Sequence, residues 1–300
     1  MIITPDRYGK SVLVNEIARE VFAAEIDEAK KAGTLGYMAR VLAQVTLPHS
    51  KPEGNEYVKK NGYLTLSILA PSHIGLPYGG IPRVVLSWLT TEAVRTKSRE
   101  IVLGNNLSSF MAQVGLVPTG GRWGTIPRLQ SQLRRLFVSE IICTYDTELA
   151  SLGTSLGVAS QYQLWWDAKA PQQRSLFQSS VTLGEGFYKE IIDRPIPINM
   201  EALKLLKRSP LALDLYIWLT YRLSYLKKPT TIPWEALHSQ FGSDYGLIRS
   251  FKSNTIMALK KVSILYPDAK FEQNSVGLRL SPSRPHVSRK LRPTAPVNKN

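Results

Sequence analysis

The sequence predicts an α+β, mainly helical protein made of tandem winged helix-turn-helix domains, with an N-terminal helical arm and a disordered basic C-terminal tail. Three observations predict it. An order of helix, strand, short helix and long helix occurs twice. Short sequence matches recur in that same order. Positive charge gathers on the long helices and at the C-terminal end. The chain has 300 residues, with 38 Lys and Arg against 23 Asp and Glu, a net charge of +15, and 43% hydrophobic residues. That length suits two compact units, each able to bury its own core.

Residues 12–45 carry helical periodicity, with Val14, Ile17, Ala18 and Val21 on one stripe, and residues 48–54 break it; the arm is placed at 1–58. From Tyr63 the pattern is strand-like, a Gly/Pro loop covers 71–80, and Ile81, Val84, Val85, Trp88, Leu89 and Val94 mark a helix. A short strand at 99–103 leads to a short amphipathic helix at 107–116. After the turn GGRW comes a longer helix at 126–140. Residues 141–184 read as β-structure with turns at Gly153, Gly157 and Pro171, an enlarged wing that completes a first domain at 59–192.

The order then repeats: a helix at 211–226, a β-prone stretch at 230–232, a short helix at 235–241 and a longer one at 247–262, forming a second domain at 193–281. Trp88-Leu89-Thr90 echoes Trp218-Leu219-Thr220, Gln113-Val114-Gly115 echoes Gln240-Phe241-Gly242, and Leu133-Arg134-Arg135-Leu136 echoes Leu259-Lys260-Lys261-Val262. The slow drift of their offsets is what small loop differences produce in a duplication. Arg194, Pro195, Ile196 and Pro197 read as a semi-rigid linker that sets the spacing of the domains.

Such a charge excess points to an anionic partner, nucleic acid first. In the first long helix Ile126, Leu129, Leu133, Leu136 and Phe137 share a face, leaving Arg128, Ser131, Gln132 and Arg135 for DNA. Arginine can meet guanine O6 and N7 with two bonds, and glutamine can do the same for adenine. In the second, Leu247, Phe251, Thr255, Leu259 and Val262 are assigned to the core, with Arg249, Lys252 and Ser253 reading bases and Lys260 and Lys261 meeting phosphate. After Glu272 no acid appears. Residues 282–300, broken by four prolines, form a tail in which Arg284, Arg289, Lys290 and Arg292 supply sequence-independent phosphate contacts.

Other classes are set aside on composition. One cysteine, Cys143, allows no internal disulfide, and no Cys/His cluster has zinc spacing. No apolar run of membrane-spanning length and no signal-peptide pattern is read, so the cytoplasm is expected. Gly9-Lys10-Ser11 ends like a phosphate loop, but Thr4 stands where its first glycine belongs. His49, His73, His238 and His286 are far apart in sequence, so no metal site, cofactor or catalytic residue is assigned; an origin-nicking nuclease stays as the enzymatic alternative. Trp165 and Trp166 could stack on single-stranded bases, but as adjacent strand positions one is expected in the core and the other partly exposed or at an interface.

The chain resembles the RepA family of plasmid-encoded replication initiators. The similarity rests on PIPINMEALKLLKRSPLALDLYIWLTYRLSYL followed by TTIPWEALHSQFG, and on GLPYGGIPRVVLSWLTTEAVRTKSREIVLGNNLSSFMAQVGL with IPRLQSQLRRLF, spanning residues 64–280. The resemblance implies binding to repeated double-stranded sites (iterons) at a plasmid origin, opening of an adjacent A+T-rich segment and recruitment of host replication proteins. It also implies repression of the protein's own promoter and a capacity to form homodimers. A transcription repressor using the same two helices is the non-enzymatic alternative.

Overall fold

A computed structural model describes residues 35–44, 46–175, 177–193, 195–242 and 245–287. Among them the fold is mixed α/β, with nine helices and four antiparallel sheets. Strand β1 (Leu35–Met38) pairs with β9 (Ile196–Asn199), Leu35 opposite Asn199 and Met38 opposite Ile196. Two expectations change here. Residues 35–38 are extended where the helical arm was expected, since strand pairing and burial of Met38 override local helical preference. From Ile196 on, the expected linker is a paired strand; its two-stranded sheet has only edge strands, where Pro197 costs no ladder bond that a central strand would need. Helix α1 (Arg40–Gln44) follows β1 and buries Val41, Leu42 and Ala43.

A four-stranded sheet runs in the order β2 (Glu56–Asn61), β3 (Leu64–Leu69), β5 (Glu140–Asp146), β6 (Ser151–Gly157). Its alternation turns Leu66, Ile68, Ile141, Cys143 and Leu156 into the core. Burial, with Glu190 adding to it, pushes the Cys143 thiol up to about 11, which fits an inert apolar side chain. The enlarged wing expected over 141–184 is therefore divided. β5 and β6 join β2 and β3, while β7 (Ala159–Gln163) and β8 (Ser180–Leu183) join β4 (Glu100–Val102) in a separate sheet of order β4-β8-β7. The apolar alternation of β5 matches the inner face of β3, which is what recruits it.

Two sets of elements follow one another in a similar order. Helix α2 (Gly80–Thr96) precedes β4, α3 (Leu107–Gln113) and α4 (Thr125–Val138); helix α7 (Pro210–Leu223) precedes β10 (Thr230–Pro233), α8 (Trp234–Phe241) and α9 (Ile248–Leu265). The second set closes with β11 (Phe271–Gln273) and β12 (Gly277–Leu280) in the order β10-β12-β11, the same arrangement as β4-β8-β7. Trp88 of α2 meets Phe110 of α3 edge-on at 5.1 Å, and Trp218 of α7 meets Phe241 of α8 edge-on at 5.4 Å. In each set a tryptophan of the first helix packs edge-on against a phenylalanine of the short helix. Helices α5 (Glu185–Asp193) and α6 (Met200–Leu206) link the sets; the Asn199 side chain caps α6 by accepting from the N–H groups of Glu201 and Ala202.

The two sets share one hydrophobic core. Across it lies a buried ion pair: Arg83 Nε donates to Asp214 Oδ1 at 2.7 Å and Nη2 to Oδ2 at 2.8 Å, with Arg83 and Asp214 side chains 1% and 4% exposed. Arg83 also donates to the carbonyls of Leu47, Pro48 and Gly79, and His49 Nε2 sits 2.7 Å from Asp214 Oδ2. Three separate stretches of chain, 47–49, α2 and α7, are tied to one carboxylate.

The start of the expected tail is likewise part of the fold. His286 is 3% exposed, stacks on Tyr266 at 4.8 Å and places Nδ1 2.7 Å from the Tyr216 hydroxyl, which also accepts from the Asn199 N–H. Tyr266 donates its hydroxyl to the Arg284 carbonyl, and burial pushes that phenol up to about 12. Prolines at 282 and 285 rule out a helix here, but they do not prevent an extended segment from docking through one aromatic residue. His286→Ala should therefore lower stability by about 1–3 kcal/mol, the range for losing a buried polar partner. Chemical unfolding of full-length wild type and variant measures it, and an unchanged midpoint counts against the docking.

Candidate nucleic-acid interface

The two long helices present their polar faces to solvent, with differences from the sequence expectation. In α4, Ile126, Leu129, Leu133, Leu136 and Phe137 are buried, and Arg128 and Ser131 are exposed. Gln132 is not on that face: it is 5% exposed, and its Oε1 accepts from the Tyr78 N–H at 2.9 Å. Its amide satisfies a loop backbone that would otherwise be unpaired, so it is removed from the base-reading set. Arg135 is half-buried; its guanidinium donates to the Leu76 carbonyl and lies 5.6 Å from the Tyr78 ring centre. It braces the loop before α2. Arg134, absent from the set that the sequence suggests for DNA contact, is exposed one turn from Ser131.

In α9, Phe251, Thr255, Leu259 and Val262 are buried as expected, but Leu247 is 70% exposed at the N-cap. The reason is local: the preceding turn ends outside the core, and Phe251 one turn later is the first residue to reach it, stacked edge-on against His238 and Tyr245. Arg249, Ser253, Lys260 and Lys261 are exposed. Lys252 is half-buried, its Nζ 5.2 Å from the Trp234 ring centre and 3.4 Å from the Ser275 carbonyl between β11 and β12. It joins helix to hairpin and leaves its charge at their junction.

Charge is what distinguishes these surfaces. Residues 101–139, which contain α3, α4 and their turn, include four arginines and no acid; residues 245–267 include Arg249, Lys252, Lys260 and Lys261 and no acid. Arg284 is exposed, whereas Arg289, Lys290 and Arg292 lie outside the described residues, as do the arm before residue 35 and the Gly9-Lys10-Ser11 motif. Of the tryptophan pair, Trp166 stacks on Phe110 at 5.1 Å and Trp165 is 49% exposed, both in a connecting segment and not a strand. The four histidines occupy separate places: His49 on Asp214, His73 exposed in a loop, His238 donating to the Tyr245 carbonyl and His286 at Tyr216. Among the described residues no group of three or more His, Cys, Asp or Glu side chains is placed to hold a metal ion, and no helix is long and apolar enough to cross a membrane.

Comparison with known proteins adds to this geometry. The sequence model of the family described as "Plasmid encoded RepA protein" matches residues 76–236, more than half of the chain and the stretch from α2 into α8. The chain belongs to this RepA family. No curated protein matches it. Two solved structures share the fold of this RepA family member. A selenomethionine derivative of domains 2 and 3 of RctB aligns with a TM-score of 0.54 at 11% identity, over 83% of this chain and 97% of that one. A second crystal structure of RctB domains 2–3 aligns with a TM-score of 0.51 at 11% identity, over 80% and 94%. At that identity the likeness is one of architecture.

Proposed function

We propose that this RepA family protein is a plasmid replication initiator, without enzymatic activity, that binds repeated double-stranded DNA sites at an origin through two winged-helix units. The observation that carries the reading is the repeated unit itself: helix, strand, short helix and long helix closed by a hairpin, each with an exposed, acid-free basic face on its long helix. In a helix-turn-helix unit the second helix enters the major groove and the hairpin flanks it. Here α4 and α9 hold that position, with Arg128, Ser131, Arg134, Arg249 and Ser253 toward the bases and Lys260, Lys261 and Arg284 toward phosphate. Joining two such helices in one chain makes the second contact intramolecular and raises affinity for paired sites. Opening of the origin, recruitment of host replication proteins and homodimer formation come to this chain by its family and follow on DNA binding.

The test uses the plasmid's own DNA. Footprinting should reveal protection at repeated sites in the origin, and an origin plasmid with this gene supplied in trans should replicate. Protection at a promoter without replication would make the protein a repressor. A persistent nick in supercoiled origin DNA incubated with metal would make it a nuclease.

A further inference from the structure

The turn between α3 and α4 carries exposed apolar side chains beside a cation. Trp123 is 81% exposed and Val117 75% exposed, and the Arg122 guanidinium carbon lies 5.0 Å from the Trp123 ring centre. An exposed tryptophan is informative in a way an exposed leucine is not, because its large apolar area usually finds cover. The backbone that carries it is closed tightly. Thr119 N–H donates to Thr125 Oγ1 and Thr125 N–H to Thr119 Oγ1, both at 2.9 Å, while Thr125 Oγ1 donates to the Val117 carbonyl. Gly124 N–H donates to the Gly121 carbonyl at 3.0 Å, and Ile126 N–H to the Thr119 carbonyl at 3.2 Å. Gly121 has φ +78°, and a Cβ on Gly124 would collide with the carbonyls of Thr119 and Gly120. The turn is thus a rigid loop whose two largest side chains, Arg122 and Trp123, are exposed.

Rigid presentation of an aromatic beside a cation lowers the entropy lost on binding. The surrounding charge selects an anion: residues 101–139 hold no acid, and Arg128 and Arg134 follow on the exposed side of α4. Trp123 stands two residues before α4 begins, so a duplex lying against Arg128 also meets the turn. We infer that Arg122 and Trp123 form a clamp for the phosphodiester backbone bordering the groove read by α4, Arg122 pairing with a phosphate while the indole packs on deoxyribose and donates Nε1–H to a neighbouring phosphate. This rests on the DNA-binding reading above and adds to it a contact that fixes register without reading sequence.

The experiment measures binding of the full-length chain to a duplex carrying the origin repeats and to an unrelated duplex of equal length, across a salt series. Arg122→Ala should reduce the slope of log affinity against log salt by about 0.9, the value for one phosphate contact, on both duplexes, and Arg122→Lys should retain it. Trp123→Ala should weaken both duplexes by the same factor, at least about fivefold, as buried tryptophan contacts do. Trp123→Phe should abolish the part of the DNA-induced tryptophan quenching that belongs to this residue. Unchanged slope and affinity in both alanine variants overturn the clamp. So does a Trp123→Ala loss confined to the repeat duplex, or one confined to a single-stranded oligonucleotide. Wild-type protein that binds no origin duplex overturns the function reading instead, and sensitivity of repeat binding to Arg128→Ala alone keeps that reading while ending the clamp.

Discussion

Replacing Asp214 with alanine should lower folding stability by about 3–5 kcal/mol, the cost of leaving a buried charge without its partner. Arg83 is 1% exposed, and its remaining acceptors are the carbonyls of Leu47, Pro48 and Gly79, which cannot neutralise a guanidinium. The replacement of both residues, Arg83→Met with Asp214→Leu, should recover part of the loss, because apolar groups of similar volume remove the stranded charge, while the carbonyls of Leu47, Pro48 and Gly79 lose their donor. Urea unfolding of the three proteins tests this; equal stability of Asp214→Ala and wild type would show that the pair does not hold the core. The pH dependence has a definite sign. Burial alone would raise the Asp214 carboxyl, but the Arg83 charge, with hydrogen bonds from His49 and Arg83, outweighs it and holds the pKa below the ordinary carboxylate value. The contribution is therefore full above the unfolded-state pKa of about 3.9 and is lost as pH falls through the lower folded-state value. Wild type should lose stability steeply in acid, and the double variant should lack that component.

The second large effect concerns recognition. Arg128→Ala and Arg249→Ala should each weaken binding to the specific site by about 1–3 kcal/mol, the usual worth of a base-reading contact. The residues lie on different helices with no shared partner in the fold, so the double variant should lose the sum, about 30-fold or more in the ratio of specific to non-specific affinity. Binding to unrelated duplex should fall far less, since each charge is one among many. Mobility-shift titration on repeat and unrelated duplexes measures both. Wild-type specificity in the double variant would take the reading role away from α4 and α9.

Much of this was legible along the chain because the signals are local. The apolar stripes of α4 and α9, the continuous apolar runs of α2 and α7, the alternation of β3 and the two short helices follow from patterns that each segment carries by itself. The repeated tryptophans were legible for a second reason: equivalent helix pairs need the same knob at the same place. Even the misplacement of Gln132 had a trace in the sequence. At 100° per residue it lies roughly 90° from the middle of the α4 apolar stripe, while Arg134 lies roughly 110° away, so the wheel places Gln132 at the margin of the buried face and Arg134 slightly nearer solvent.

What the amino-acid sequence by itself determined, then, is the order of elements, the excess of positive charge and the two helices that display it, since composition and period need no knowledge of distant residues. Tertiary structure alone decided which strands share a sheet, that the 196–199 segment pairs with 35–38, that His286 closes over Tyr216, and that Arg83 and Asp214 meet across 131 positions of chain. The physical reason is that each of these depends on two segments whose individual patterns permit several partners. Only burial of both together, with buried charges such as Arg83 and Asp214 paired, selects one.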